Sequence, residues 1–196
     1  TVYKLPSGMN VFDFNRRMAQ AARKAANEAG AAVCRDVFVM GSVGPTGKFL
    51  RPLGDTAFED MVAAFAEQIR GLAEGGVDGI IAETQFDIAE ARAIVIAARR
   101  VGSLPVIASM TYEDGVTLTG SSVAVCTAAL ANMGVDVIAM NCSAGPAEMR
   151  EAVQMLLAES PAPVLVQPNA GLPVLKDGET VFPLAPKAFA ELTMEF

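Results

Sequence analysis

Short apolar runs alternate with longer amphipathic segments along almost the whole chain, and this alternation constrains the fold more than any other feature of the sequence. The clearest run, residues 137–140, stops abruptly at the polar turn Asn-Cys-Ser-Ala-Gly-Pro, residues 141–146. Such a run, bounded by turn residues, is typical of a buried strand in a parallel sheet. Strands that alternate with helices in this way predict an α/β fold with a parallel sheet and right-handed crossovers.

Periodicity and capping residues predict five buried strands and the helices between them. The strands are expected at 37–40, 79–82, 105–111, 137–142 and 164–167, and the helices at 10–29, 58–73, 88–101, 121–133, from 146 or 147 onward and from about 186. Asn10 and either Ser121 or Ser122 are the expected N-caps, and Gly30 is the expected end of the first helix.

The ends of the predicted strands favour a barrel over an open sheet. The glycine-rich segment 41–47 matches neither the dinucleotide fingerprint nor the P-loop pattern. Polar or reactive residues instead follow nearly every strand, as in a (β/α)8 TIM barrel, which typically needs about 250 residues. We therefore expect residues 1–196 to be a single barrel domain of about six of the eight units, truncated at both ends. Unpaired strand edges would make such a chain unstable or oligomeric in isolation.

Composition narrows the class of protein. A chain that is 52% hydrophobic and 19% charged is expected to be globular, and its net charge of -7 with scattered Lys and Arg argues against a nucleic-acid surface. No membrane span or signal sequence is recognisable, so a cytoplasmic protein without membrane partners is the default expectation. Three cysteines at unrelated spacings predict reduced thiols.

Seven short motifs near the strand ends occur in the order seen in the homocysteine S-methyltransferase barrel. They occupy residues 41–47, 74–78, 82–87, 109–112, 117–120, 140–146 and 167–173. The chain resembles that family along nearly its whole length, and residues 168–173 most resemble the homocysteine-binding module of cobalamin-dependent methionine synthase. The family's two opening motifs, Asp-Gly-Ala-Met-Gly-Thr and Thr-Asn-Thr-Phe, are absent, and residues 1–5 look like the loop after the second.

The resemblance implies methyl transfer to the sulfur of homocysteine, giving methionine. It further implies methylcobalamin as donor, carried by a cobalamin-binding domain or protein, with methyltetrahydrofolate and a folate-binding domain upstream. Relatives that use betaine or S-methylmethionine are the alternative within the family.

The resemblance also implies a catalytic zinc ion, which deprotonates the substrate thiol when the thiol binds to it. Cys142 would be the first of three cysteine ligands. The other two belong to a Gly-Gly-Cys-Cys-Gly-Thr motif that this sequence does not contain, so we expect the chain alone to bind zinc poorly and to be inactive. Cys34 and Cys126 are expected to pack as small apolar residues. The amide oxygen of Asn169 would be a weak supplement to sulfur.

Glu83 is the strongest candidate for substrate binding. By resemblance its carboxylate would hold the ammonium group of homocysteine, a role that charge-assisted hydrogen bonds perform well. Capping of loop amides and acid/base chemistry remain open for the same residue. The other candidates for substrate contact are Ser42, Thr111, Asn141 and Asn169, each of which could instead satisfy loop backbone, and Asp87 is expected to cap the following helix. No catalytic residue is assigned beyond these ligands.

Two functions of other classes also remain open. One is a different barrel enzyme, such as a lyase, with Glu83 as general base and a structural Cys142. The other is a non-catalytic barrel remnant or interaction module that lacks zinc. Turnover that is insensitive to chelators would indicate the first.

Overall fold

A computed structural model of the chain describes residues 5, 8–142, 144–176 and 178–196. The expectation for residues 1–4 therefore concerns residues outside the described part of the chain. Ser143 of the Asn-Cys-Ser turn also lies outside it. The helices are α1 Val11–Val33, α2 Phe58–Glu74, α3 Ile88–Val101, α4 Val123–Asn132, α5 Pro146–Glu159 and α6 Pro186–Thr193. The strands are β1 Met40–Val43, β2 Gly79–Gln85, β3 Val106–Met110, β4 Val137–Asn141, β5 Val164–Gln167, β6 Val174–Lys176 and β7 Glu179–Val181.

The first five strands form one sheet in sequence order, β1-β2-β3-β4-β5. Parallel pairing is seen for β1 with β2, where Met40 is opposite Gly79, and for β4 with β5, where Ile138 is opposite Val164. A helix follows each of β2, β3 and β4, and a longer connection precedes α2. The predicted α/β class is confirmed, and the architecture is consistent with part of a (β/α)8 barrel.

The chain divides into two compact units. The first unit comprises Thr1–Glu83 and Ala89–Ile107, and the second comprises Thr84–Ile88 and Ala108–Phe196. No helix within the described residues is both long and apolar enough to cross a membrane.

In the first unit, α1 packs closely against α2. The side chain of Asn10 accepts a hydrogen bond from the Asp13 amide at 2.7 Å, which confirms the predicted N-cap. The helix runs on to Val33 instead of ending near Gly30, because a left-handed residue, Cys34, supplies the C-cap. Glycines allow the close approach of the two helices: a Cβ on Gly71 would lie 2.4 Å from the carbonyl oxygen of Phe12.

The first predicted strand was placed three residues too early and was wrongly expected to be buried. Phe38 is 75% exposed, and β1 pairs with β2 only from Met40 onward. The preceding backbone is bonded to side chains, since Arg23 donates to the carbonyl of Val37 and the amide of Val39 donates to Asp78. These bonds to side chains take the place of backbone hydrogen bonds that a strand would form at residues 37–39.

The second unit is built on β4 and its flanking helices. Ile138 and Met140 of β4 are buried, as are Leu130 of α4 and Leu156 of α5. Ser122 caps α4 by accepting from the Val125 amide at 3.4 Å, which confirms one of the two predicted caps. The strand β5 is only half-buried, contrary to expectation, and it lies at the edge of the sheet.

An antiparallel hairpin, β6 with β7, was not predicted. Its strands contain three residues each, which is too short for a period-two pattern to be recognised in the sequence. Leu175 within it is 78% exposed. The hairpin follows directly on the Pro-Asn-Ala-Gly-Leu-Pro loop.

Candidate functional site

Cys142 lies at the carboxyl end of β4, as the sequence predicts. Its backbone has φ of +61°, in the left-handed region that non-glycine residues rarely adopt. Its amide donates to the carbonyl of Gln167 at 3.2 Å, and its own carbonyl accepts from the amide of Ala144 at 2.8 Å. The turn is therefore fixed on both sides of the cysteine.

Asn141, the preceding residue, is the centre of a buried hydrogen-bond cluster. Its Oδ1 accepts from the Ser109 hydroxyl at 2.5 Å and from the Thr84 amide at 3.1 Å. Its Nδ2 donates to the Thr84 hydroxyl at 2.7 Å and to Cys142 Sγ at 3.0 Å. We call Asn141, Thr84, Ser109 and Cys142 the Asn141 cluster. Thr84 and Ser109 were not among the predicted site residues, although each belongs to a strand-end motif.

The turn after β4 packs against the loop after β5. The Asn169 amide donates to the Ala144 carbonyl at 3.0 Å. A Cβ on Gly145 would lie 3.1 Å from the Cα of Gly171 and 2.9 Å from the Glu148 carboxylate. Glycine at 145 therefore permits the contact between these two motifs, which the sequence shows only as separate segments.

A cavity of about 530 Å³ opens beside Cys142. The wall of the cavity includes Met140, Asn141 and Cys142, and its apolar part includes Met149, Met155 and Leu172. Four carboxylate side chains also line it, and no Lys or Arg is found among the described residues of its lining. The carboxylates are those of Glu113, Asp114, Glu148 and Glu151. The electrostatic potential of this wall favours a ligand that carries a positive charge.

Glu83 and Ser42 lie together in the first unit. The Ser42 hydroxyl donates to Oε2 of Glu83 at 2.5 Å, and Glu83 is half-buried near the end of β2. The register of β1 and β2, with Val43 opposite Ala82, brings these two predicted substrate residues side by side. The hydroxyl fixes the direction of the carboxylate.

The Gly-Pro-Thr-Gly part of the 41–47 motif is held by a buried carboxylate. Glu90 accepts from the amide and the hydroxyl of Thr46, both at 2.7 Å. Glu90 is buried within α3 and was not singled out in the sequence. These two hydrogen bonds fix the loop that contains the motif to α3.

The other two cysteines differ in burial. Cys126 is buried in α4, as predicted, and it is hydrogen-bonded to Tyr112. Burial raises the pKa of the Cys126 thiol, and burial likewise raises the pKa of Tyr112 far above its usual range. Cys34 is exposed, so the prediction that it packs as an apolar residue is wrong.

The remaining predicted residues are found in loops and strand ends of the second unit. The amide of Thr111 donates to the Gln85 carbonyl at 2.8 Å, directly after β3. Asp87 is buried immediately before α3. The predicted roles of Thr111, Asn169 and Asp87 stay predictions.

The described residues do not by themselves complete a zinc site. A catalytic zinc needs three protein ligands, and no group of three His, Cys, Asp or Glu side chains among these residues could hold a metal ion. Cys142 fits the part of one ligand, because an amide hydrogen from Asn141 points at its sulfur as it would at a thiolate.

Comparison with known proteins agrees with the strand-end motifs. The sequence profile described as homocysteine S-methyltransferase matches residues 2–196. The chain belongs to the homocysteine S-methyltransferase family. Within this family, methionine synthases from Mycobacterium tuberculosis and Mycobacterium leprae are 37% and 36% identical to it over 190 residues. The match covers 94% of this chain and 16% of the length of these relatives.

Solved structures show the same fold. The homocysteine methyltransferase MmuM from Escherichia coli, in its apo form, superposes with a TM-score of 0.66 at 17% identity, over 98% of this chain and 78% of that one. The metallated form of the same enzyme gives a TM-score of 0.63 over 93% of this chain and 70% of that one. The barrel-type arrangement predicted for this family member is thereby confirmed.

Proposed function

We propose that the complete protein transfers a methyl group to the sulfur of homocysteine and so produces methionine. The observation that carries the proposal is Cys142, held in a left-handed turn at the end of β4 beside a cavity, in a member of the homocysteine S-methyltransferase family. The methyl donor is methylcobalamin on another domain or protein, with methyltetrahydrofolate upstream. The similarity to methionine synthases supports this donor.

In this proposal the substrate enters as an amino-acid zwitterion. The Glu83 carboxylate, directed by Ser42, accepts hydrogen bonds from the ammonium group. In the second unit, the carboxylates that line the Cys142 cavity favour a cationic group, and its methionine and leucine side chains suit an aliphatic chain.

We further propose that Cys142 contributes one ligand to a zinc ion in the complete protein. Zinc bound to the substrate sulfur would lower its pKa and supply the thiolate nucleophile.

A cationic methyl donor is the second candidate. The four carboxylates that line the cavity would also attract the sulfonium of S-methylmethionine or the quaternary ammonium of betaine. The methyl acceptor and the role of Glu83 are the same in this branch of the family. The donor alone differs.

The product of the complete gene, loaded with zinc, should be assayed with homocysteine and each of three donors: free methylcobalamin, S-methylmethionine and betaine. We expect methionine from methylcobalamin, and a preference for either other donor would move the protein to the second candidate. Absence of methionine with all three, despite bound zinc, would contradict the proposed function.

Cys142→Ala with Cys126→Ala as its matched control tests the ligand assignment. The first variant should lose tight zinc binding and methyl transfer together, because two thiolates do not complete a three-ligand site. The second removes one buried sulfur and should keep both properties, at a cost on the order of 1 kcal/mol of stability. Equal zinc content and equal turnover in the two variants would contradict the assignment.

A further inference from the structure

The side chain of Asn141 has no hydrogen-bonding capacity left for a substrate. An asparagine amide offers two N–H donors and two acceptor lone pairs. Both donors are used, on Thr84 Oγ1 and Cys142 Sγ, and both lone pairs are used, by Thr84 N and Ser109 Oγ. The residue is also buried, at 4% exposure.

The orientation of this amide follows from the chemistry of its partners. A backbone N–H can only donate, so the Asn141 atom that lies 3.1 Å from the Thr84 amide has to be the oxygen. The other terminal atom is therefore the nitrogen, and it is this atom that lies 3.0 Å from Cys142 Sγ. The sulfur accordingly accepts a hydrogen bond and does not have to donate one.

The same side chain braces two unusual backbone conformations. Thr84 has φ of +57° and Cys142 has φ of +61°. Left-handed backbone is an outlier for a β-branched residue such as threonine and persists only where the surroundings hold it. Asn141 holds Thr84 at both its amide and its hydroxyl, and it holds Cys142 through the sulfur.

We propose that Asn141 is a positioning residue, which fixes Cys142 Sγ at the cavity wall as a hydrogen-bond acceptor while bracing the left-handed Thr84. This role depends on the Asn141 cluster alone and not on the identity of the methyl donor or acceptor. It can be tested without substrate, so its failure would leave the proposed methyl transfer untouched.

Asn141→Asp replaces the donor to sulfur with a carboxylate oxygen, which cannot donate. An aspartate keeps the shape and both acceptors, and the Thr84 hydroxyl can rotate to donate to the new oxygen. The Cys142 sulfur could bond to the new oxygen only by donating its own thiol proton. The sulfur of the variant should therefore react more slowly with an electrophile.

The measurement is the rate of alkylation by iodoacetamide at one pH, using the complete gene product freed of metal by chelation. Mass spectrometry of peptides reads the three cysteines separately, with exposed Cys34 as internal reference and buried Cys126 as a reporter of unfolding. We expect the ratio of the Cys142 rate to the Cys34 rate to fall roughly tenfold in Asn141→Asp, the effect of losing one strong hydrogen bond.

Ser109→Ala is the matched control, because it removes another partner of Asn141 without touching the bond to sulfur. Its ratio should change less than about threefold. If Asn141 had a merely structural role, its replacement would loosen the second unit and expose both Cys142 and Cys126. The alkylation of both cysteines would then become faster, not slower.

An unchanged ratio in Asn141→Asp, a joint rise at Cys142 and Cys126, or an equal fall in Ser109→Ala would each overturn the proposal. Should Asn141→Asp fail to fold, Asn141→Ala removes the same donor with a smaller side chain. It should give the same fall in the ratio with Cys126 still protected.

Discussion

Thr84 and Cys142 illustrate how a site can depend on residues that no local pattern connects. Asn141 bonds to Thr84, 57 positions earlier, and to Ser109, 32 positions earlier. The sequence predicts that Cys142 follows a buried strand, because an apolar run precedes it. The sequence does not predict the left-handed backbone of Thr84 and Cys142, since neither residue is a glycine. It does not predict the hydrogen-bond partners of Asn141 either, since these residues meet only in the folded sheet.

Glu83→Gln tests the proposed contact with the substrate ammonium. The change keeps the shape and the acceptor for Ser42 but removes the negative charge. A charge-assisted hydrogen bond contributes about 1.5–3 kcal/mol, so kcat/KM for homocysteine should fall roughly ten- to hundredfold, mostly through KM. Steady-state kinetics of the complete gene product provide the measurement.

Ser42→Ala is the companion variant for Glu83. It removes a neutral hydroxyl that only directs the carboxylate, so its effect on KM should be smaller, about tenfold at most. A Glu83→Gln variant with unchanged KM and a large loss of kcat would instead favour Glu83 as an acid or base.

Packing of α1 on α2 depends on glycine at the end of α2. Gly75 has an ordinary helical backbone, with φ of -74°, but a Cβ there would lie 2.3 Å from the Ala19 Cβ and 2.6 Å from the Arg16 carbonyl oxygen. Gly75→Ala should therefore push the helices apart and cost about 1–3 kcal/mol. The expected fall in Tm, measured by circular dichroism, is roughly 2–12 °C for a chain of this size.

Gly102→Ala is the control for Gly75→Ala. Gly102 follows α3, and a Cβ built on it would meet no atom within 4 Å. The variant should be neutral or slightly more stable, because alanine restricts the unfolded chain. An equal loss of Tm in both variants would contradict the steric explanation.

An ion pair joins α1 to the segment before β2. Arg23 pairs with Asp78 and donates to the carbonyl of Gly76 at 2.9 Å, while the Val39 amide donates to Asp78 at 2.6 Å. The hydrogen bond from the Val39 amide, followed by that from Arg23, lowers the pKa of Asp78 below its usual 3.8.

The pH dependence of stability follows from this lowered pKa. The contribution of Asp78 is fully present above the unfolded-state pKa near 3.8 and is lost as the pH falls through the lower folded-state pKa. Asp78→Asn should therefore lower Tm at pH 7, and the difference from the parent protein should shrink below about pH 4. Asp13→Asn removes an exposed ion pair with Arg16 within α1 and should change Tm little at any pH. A difference that stays constant down to pH 2 would contradict the assignment.

The elements that were predicted correctly share one property, a pattern that a single segment carries by itself. The bounds of α3, Ile88–Val101, and of β5, Val164–Gln167, agree with the expectation from periodicity. The error at β1 arose because Phe38 and Val39 look like strand residues, although Arg23 and Asp78 take up backbone bonds there. Local patterns do not contain such long-range side-chain bonds.

At the scale of the whole molecule, the order of the motifs was more informative than any one of them. Segments such as 41–47 and 167–173 are short and individually common, yet their sequence order predicted the family that the profile over residues 2–196 shows. The net charge argued only against a nucleic-acid surface, and the composition did not indicate a family. The chain spans 16% of the length of the methionine synthases it matches, so the methyl donor and the metal stay proposals.

Removal of metal from the complete gene product separates the proposed function from its main rival. If zinc activates the substrate thiol, chelation should abolish methionine formation, and added Zn²⁺ but not Mg²⁺ should restore it, since thiolate ligands select the softer ion. The far-ultraviolet circular dichroism spectrum of the metal-free protein should report whether the fold persists. Turnover that continues at its original rate after chelation, with zinc absent by elemental analysis, would instead favour a barrel enzyme in which Glu83 acts as the base and Cys142 is structural.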